Sequence, residues 1–210
     1  MTNPLLLGPR AGEVSVILAS GSVHRASILR AAGLDFEVIP ADVDEAPVRD
    51  SARAAGSSPE QAAVQLAELK ALHVSRLHPK ALVIGSDQIL ECDGDWFEKP
   101  ADRAAAVRQL KQLSGRRHRL LAAVTVYQAG EQLWRHVSVP VLTMRDLDES
   151  FIEAYLDAAG PEVFGSVGVY HLEGLGAQLF ARIEGDYFSI LGLPLLELLI
   201  FLRRREIVPG

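Results

Sequence analysis

Residues Ala81 to Pro100 read ALVIGSDQILECDGDWFEKP. Ala81-Leu82-Val83-Ile84 is a near-continuous apolar run, the pattern of a strand buried on both faces. The run then meets Gly85-Ser86-Asp87-Gln88, and a carboxylate at the end of a buried strand is costly unless something pairs with it. Asp93-Gly94 is a strong two-residue hairpin signal, because both residues tolerate positive φ. The return strand, Asp95 to Glu98, brings Lys99 back along its partner. Asp87 and Lys99 are therefore expected near the same end of one hairpin-linked sheet. An acid that can hold a metal or a water, with a fixed cation nearby, suits phosphate chemistry. A buried ion pair beside a tight turn fits this stretch equally well.

The flanking chain alternates helices and strands. Val14 to Ala19 reads as a first strand. Ser22 caps a helix through His24, Arg25, Ile28 and Leu29, with Gly33 as its stop. Phe36 to Ile39 is a second strand, and Asp42, Asp44 and Glu45 open a polar, Gly/Ala/Ser-rich connection to Ser58. Ser58-Pro59 starts a long helix carrying Val64, Leu66, Leu69 and Leu72. After the central hairpin, Asp102 to Ser114 is an amphipathic helix stopped by Gly115. Leu120 to Tyr127 and Gln132 to Met144 form a second hairpin around Gln128-Ala129-Gly130, with Pro140 at an edge or bulge. Asp148 opens another helix, Ala177 to Ile183 is a strand, and Pro194 to Arg203 is a final helix. The expected fold is α/β with a mixed sheet. Residues 1–12 are expected as a flexible tail and 13–207 as one domain.

At 210 residues the chain suits one domain, or two small lobes sharing a sheet. Its net charge of -6 argues against a broad nucleic-acid surface, so no nucleic-acid partner is expected. Cys92 is the only cysteine, which excludes an internal disulfide and fits a reducing cytoplasm. The most apolar C-terminal run, Ile190 to Leu202, is too short to span a bilayer, and no membrane partner is expected. The histidines show no ligand spacing, so a histidine-bound zinc is not expected.

Two further stretches are candidate sites. In Ser20-Gly21-Ser22-Val23-His24-Arg25, the serines and the free N–H groups of a helix start can bind an anion, and Arg25 adds a charged fork. A plain capped helix with a solvent-facing arginine explains the pattern more simply. Asp42-Val43-Asp44-Glu45 can offer oxygen ligands to Mg²⁺ or Mn²⁺, although a solvated acidic loop is commoner. Lys70, on the long helix, counts as a surface lysine.

Taken together, these stretches resemble the Maf family of nucleoside triphosphate pyrophosphatases from about Val16 to Leu202. The family's L-A-S-x-S-P-R-R opening is matched by Leu18-Ala19-Ser20-Gly21-Ser22-Val23-His24-Arg25. Its D-E pair is matched by Asp44-Glu45, and its L-A-x-x-K-A helix by Leu66-Ala67-Glu68-Leu69-Lys70-Ala71. Gly85-Ser86-Asp87 and Lys99-Pro100 match its G-[AS]-D and K-P elements. Leu113-Ser114-Gly115-Arg116-Arg117-His118 matches L-S-G-x-x-H. The closing G-D-Y and G-L-P elements appear as Gly185-Asp186-Tyr187 and Gly192-Leu193-Pro194.

The resemblance implies hydrolysis of a nucleoside triphosphate to the monophosphate and pyrophosphate, with Mg²⁺ or Mn²⁺, in a nucleotide cleft between two lobes. Asp87 takes the position of the catalytic acid that activates water or binds the metal, and Glu45 helps hold the metal. Arg25, Lys70 and Lys99 would neutralise the triphosphate, and Ser20 and Ser22 would cradle phosphate. Members preferring dTTP and UTP carry arginine, threonine and glutamine at three specificity positions; here these are His24, Gln88 and Glu173. Gln88 and Glu173 resemble the 7-methyl-GTP branch, which carries an aromatic near the His24 position. The family also implies a homodimer and removal of non-standard nucleotides. The replacement of its usual arginine by His24 keeps open an alternative, a nucleotide-binding regulator of septum formation with little catalysis.

Overall fold

Strand β1 (Val16–Leu18) carries helix α1 (Val23–Ala31) behind it, and the cap that starts the helix is local chemistry. Ser22 Oγ accepts from the Arg25 N–H, and the chain leaves the helix through Gly33 at φ 79. The computed structural model describes residues 14–209, so the tail expected over residues 1–12 lies outside the described residues. Among the described residues there are eight strands and seven α-helices. The chain divides into two compact units. The first takes the chain through Gln88, then Ala122–Ser138, and then from Gly192 onward. The second is Ile89–Leu121 and Val139–Leu191. Two long strands, β3 (Leu82–Cys92) and β5 (Arg117–Gln128), contribute residues to both.

In the first unit β1 lies parallel to both β2 (Glu37–Val38) and β3, with Leu18 opposite Ile84. The later part of β5 pairs antiparallel with β6 (Glu131–Ser138), Val124 facing His136. Helix α3 (Pro59–Leu77) covers one face of the sheet. Its Ala71 and Val74 pack with Ile17, Ala19, Val83 and Tyr127. A Ser58 capping box with Pro59 behind it sets the helix start. The contact is closest at Gly85, where an added Cβ would lie 2.3 Å from the Ala67 carbonyl and 2.7 Å from Ala71 Cβ. Only glycine lets the strand approach the helix this closely. Helix α7 (Leu195–Arg204) lies against β6, where Phe201 stacks on Trp134 at 5.2 Å.

In the second unit β3 turns at Asp93-Gly94 (φ 52 and 92) into β4 (Asp95–Phe97), with Leu90 facing Phe97. Helix α4 (Arg103–Leu113) begins at an Asp102 cap and α5 (Glu149–Ala159) at an Asp148 cap. The early part of β5 pairs antiparallel with β7 (Val141–Met144), which pairs in turn with β8 (Phe180–Glu184). The core here is Leu90, Leu110, Leu113, Leu142, Ile152, Leu156 and their neighbours. The strand order is β2-β1-β3-β5-β7-β8, with β4 on β3 and β6 on β5. Parallel and antiparallel pairs together make the sheet mixed, as expected.

Four expectations are corrected. The connection from Asp44 to Ser58 contains a helix, α2 (Glu45–Ala54), although Ala52 is its one buried residue. Asp87 is inside β3, not at its end, because Gly85, Ser86 and Asp87 find tertiary partners and the strand continues to Cys92. Residues Gln132 to Met144 are two strands, divided where Pro140 has no N–H to donate. The last strand begins at Phe180, after a 3-10 turn over Leu175–Leu179. A short helix, α6 (Tyr187–Ile190), was not anticipated. Among the described residues no helix is long and apolar enough to cross a membrane.

Candidate active site

Gly85 and Asp87 stand two apart on β3 and so face the same side of the sheet. That side is the one α3 covers. Ala67, Lys70 and Ala71 are at helical spacing and all buried, so the close approach at Gly85 brings Lys70 alongside Asp87. Lys70 Nζ donates to Asp87 Oδ1 at 2.6 Å and lies 2.6 Å from Glu45 Oε1. Lys70 is 7% exposed and Asp87 3%, so the surface position expected for Lys70 is wrong. A helix interior packed on a strand accepts a lysine when two carboxylates meet its ammonium.

Glu45 is the first residue of α2, and its second oxygen is held by Arg49 one turn along. Burial pushes the Glu45 carboxyl up. Lys70, Arg49 and Arg25 together outweigh that effect and hold it below the ordinary carboxylate range. Arg49 was missed from the sequence. Its only signal is the i, i+4 spacing from Glu45, which became meaningful once this segment proved helical.

Arg25 is also buried, at 9% exposure, and is not the solvent-facing residue of the simpler explanation. Its Nη1 donates to Ser20 Oγ at 3.1 Å and to the Ser86 carbonyl at 2.7 Å, and its Nε donates to the Gly192 carbonyl at 2.9 Å. Burial lowers its pKa, opposed by the nearby carboxylates Asp87 and Glu45. Ser86, on the opposite side of β3 from Asp87, donates its hydroxyl to the Ala123 and Gly192 carbonyls at 2.8 and 3.1 Å. Gly192 adopts φ 101, a conformation that glycine takes without strain. The Gly85-Ser86-Asp87 and Gly192-Leu193-Pro194 elements are thus physically joined through Arg25 and Ser86.

The structure therefore brings Ser20, Arg25, Glu45, Lys70 and Asp87 into one connected polar cluster of the first unit. Ser22 accepts from Arg25 N–H and donates its own N–H to Ser20 Oγ. His24 and Gln88 are half-buried in the same unit. Lys99 and Glu173 belong to the second unit and are exposed. One atom stands out in the cluster. Asp87 Oδ2 is buried and makes no hydrogen bond to any described residue. An ionised oxygen out of contact with water costs several kcal/mol unless a ligand completes it, by the order of magnitude for buried polar groups. The donor set is oxygen only, which fits a hard divalent cation.

A family model described as "Maf-like protein" matches residues 15–205. The chain belongs to the Maf family. Its relatives include a protein of Paramagnetospirillum magneticum named nucleoside triphosphate pyrophosphatase, 53% identical over 92% of this chain and 100% of that protein. A Mesorhizobium japonicum protein named 7-methyl-GTP pyrophosphatase is 50% identical over 93% of this chain and 98% of its own length. One from Brucella abortus with the same name is 47% identical over 94% and 99%. Within this Maf chain the cluster is built from the same stretches that carry the sequence resemblance.

Proposed function

We propose that this chain hydrolyses a nucleoside triphosphate to the monophosphate and pyrophosphate, with Asp87 as the central group. The observation that carries the reading is the geometry of Asp87. Lys70 pins one carboxylate oxygen at 2.6 Å, and the other is buried with no hydrogen-bond partner among the described residues. A pinned carboxylate presents its second oxygen in one direction, which is what general-base work on a water requires. In the reaction, water attacks phosphorus at the α–β bridge and the bridging P–O bond breaks. Pyrophosphate leaves, and the water's proton passes to Asp87 Oδ2. Arg25, Lys70 and Lys99 offset the charge of the triphosphate, with Ser20 and Ser22 at the phosphates.

Glu45 with Asp87 would hold a divalent cation, Mg²⁺ or Mn²⁺. When bound, it supplies positive charge to the phosphate oxygens and makes a bound water more acidic. Names borne by relatives at 47% to 53% identity support the reaction class. We infer that the base is a purine of the 7-methylguanine type. A carboxylate at Glu173 can accept from guanine N1–H and its exocyclic amine, and it favours a cationic ring on which His24 can stack. We place the reaction in a reducing cytoplasm, which the single cysteine fits.

Pyrophosphate release with Mg²⁺ or Mn²⁺ across UTP, dTTP, GTP and 7-methyl-GTP tests both levels. Turnover led by 7-methyl-GTP is expected. A lead for UTP or dTTP would keep the reaction and remove the base assignment. Tight binding of all four with turnover at background would remove the reaction itself and favour the septum-regulator alternative.

A further inference from the structure

The second unit buries a polar side chain that the proposed chemistry does not use. Gln109, on α4, is 8% exposed. Its Nε2 donates to the Glu98 carbonyl at 2.8 Å, and its Oε1 accepts from the Gly168 N–H at 2.8 Å. The first partner is the carbonyl of the peptide bond leading into Lys99. The second begins the segment that carries Glu173. One amide thus links the backbones of the two second-unit segments that hold candidate substrate residues.

The segment after Gly168 has little freedom to absorb a displacement. Gly168 sits at φ 80, and a Cβ there would meet the Tyr170 ring at 2.4 Å and Leu90 Cδ1 at 2.7 Å. Val169 is fully buried at φ 61, a conformation β-branched residues rarely adopt, and its carbonyl accepts from Tyr155 Oη at 2.9 Å. Tyr170 Oη lies 3.0 Å from His118 Nε2. At the far end, a Cβ on Gly176 would come within 2.5 Å of the His171 carbonyl. Glu173 lies between these fixed points. The amide accepts at one atom and donates at the other, which neither an ionised carboxylate nor a thioether of the same length can do.

We propose that Gln109 is a positioning residue for the substrate: its buried amide sets the Lys99 backbone and the Glu173 segment at a fixed separation. This rests on the reading of Lys99 and Glu173 as substrate-binding residues. Gln109→Glu keeps the acceptor for Gly168 and sets an anion against the Glu98 carbonyl; Gln109→Met keeps the volume and loses both bonds. Each is compared with wild type, Lys99→Ala and Glu173→Ala on 7-methyl-GTP and UTP. Both Gln109 variants are expected to lower kcat/KM roughly tenfold, mostly through KM, and to narrow the preference between the two nucleotides. A purely structural role would lower Tm and leave that preference alone. If Lys99→Ala and Glu173→Ala change the kinetics while both Gln109 variants match wild type, the inference is overturned and the site reading survives. If Lys99→Ala and Glu173→Ala are silent, both are lost. Amide exchange gives a readout without turnover: Gly168 should be protected in wild type and exchange faster in Gln109→Met. A Gly168 amide that exchanges equally fast in both overturns the inference.

Discussion

The two units differ in the balance of charged and neutral groups they bury. The first buries charge: Lys70 pairs at 2.6 Å with both Asp87 and Glu45, and Arg25 is buried on Ser20 and the Ser86 and Gly192 carbonyls. The second buries mainly neutral groups: Gln109, His118, Tyr155 and Tyr170 bond to backbone or to each other, and its buried carboxylate, Glu91, pairs with the half-exposed Arg119 at 2.7 Å. Buried charge is weak evidence for stability, because desolvation cancels most of the attraction. A neutral buried hydrogen bond contributes about 1 kcal/mol and fixes a shape. On the proposed reading, the first unit carries a reactive constellation at some cost in stability, and the second holds loops in place. Each side can be broken separately.

The largest effect should come from Lys70→Met. It leaves Asp87 and Glu45 without their shared cation and is expected to cost about 3–5 kcal/mol of stability as well as turnover. Urea unfolding checks it; a loss under about 1 kcal/mol would mean that the carboxylates do not depend on Lys70.

The second unit should respond to pH through His118. Burial lowers the His118 pKa to about 4, from 6.5 in an unfolded chain. Between those values the unfolded chain takes up a proton that the folded chain refuses, so stability falls as pH falls. At 1.36 kcal/mol per unit, the window from pH 6.5 down to 4 is worth about 3 kcal/mol. Above pH 6.5 the contribution is complete. Unfolding midpoints of wild type against His118→Gln across this range isolate it, and equal pH slopes would refute a neutral buried His118.

Gly85→Ala probes the helix–strand contact beneath the first cluster. The added Cβ meets the Ala67 backbone, so about 1–3 kcal/mol should be lost by overpacking, and turnover should fall with it as Lys70 shifts from Asp87. A destabilised variant with wild-type kcat would show that the approach at Gly85 does not set the pair. The smallest effect belongs to Arg49→Gln, a partly exposed i, i+4 partner of Glu45, at about 0.5 kcal/mol. A thermal scan that shows several degrees of loss would place Arg49 among the essential charges.

The same contrast explains what the sequence disclosed. Strand β1, the caps at Ser22, Ser58, Asp102 and Asp148, and the Asp93-Gly94 turn are decided within a few residues, so pattern alone locates them. Helix α2 was hidden because EAPVRDSARA has almost no apolar face; it buries Ala52 alone and gains its role through Glu45 and Arg49. The continuation of β3 through Gly85-Ser86-Asp87 depends on α3, Ala123 and Gly192, all distant in sequence. By pattern, Lys70 was a surface lysine and Arg25 a solvent-facing one. Only the match to family motifs grouped them with Asp87. Arg49 and Gln109 escaped notice because their partners are set by tertiary packing and, for Gln109, are backbone atoms.

In the proposed reaction Asp87 Oδ2 handles the attacking water. Pyrophosphate release by Asp87→Asn, with unfolding measured on the same preparation, tests it most directly. The amide keeps the shape and leaves Lys70 paired with Glu45, so the protein should stay folded while kcat drops by about a thousandfold or more, the scale of losing a principal catalytic group. A folded Asp87→Asn that turns over within tenfold of wild type would contradict the account.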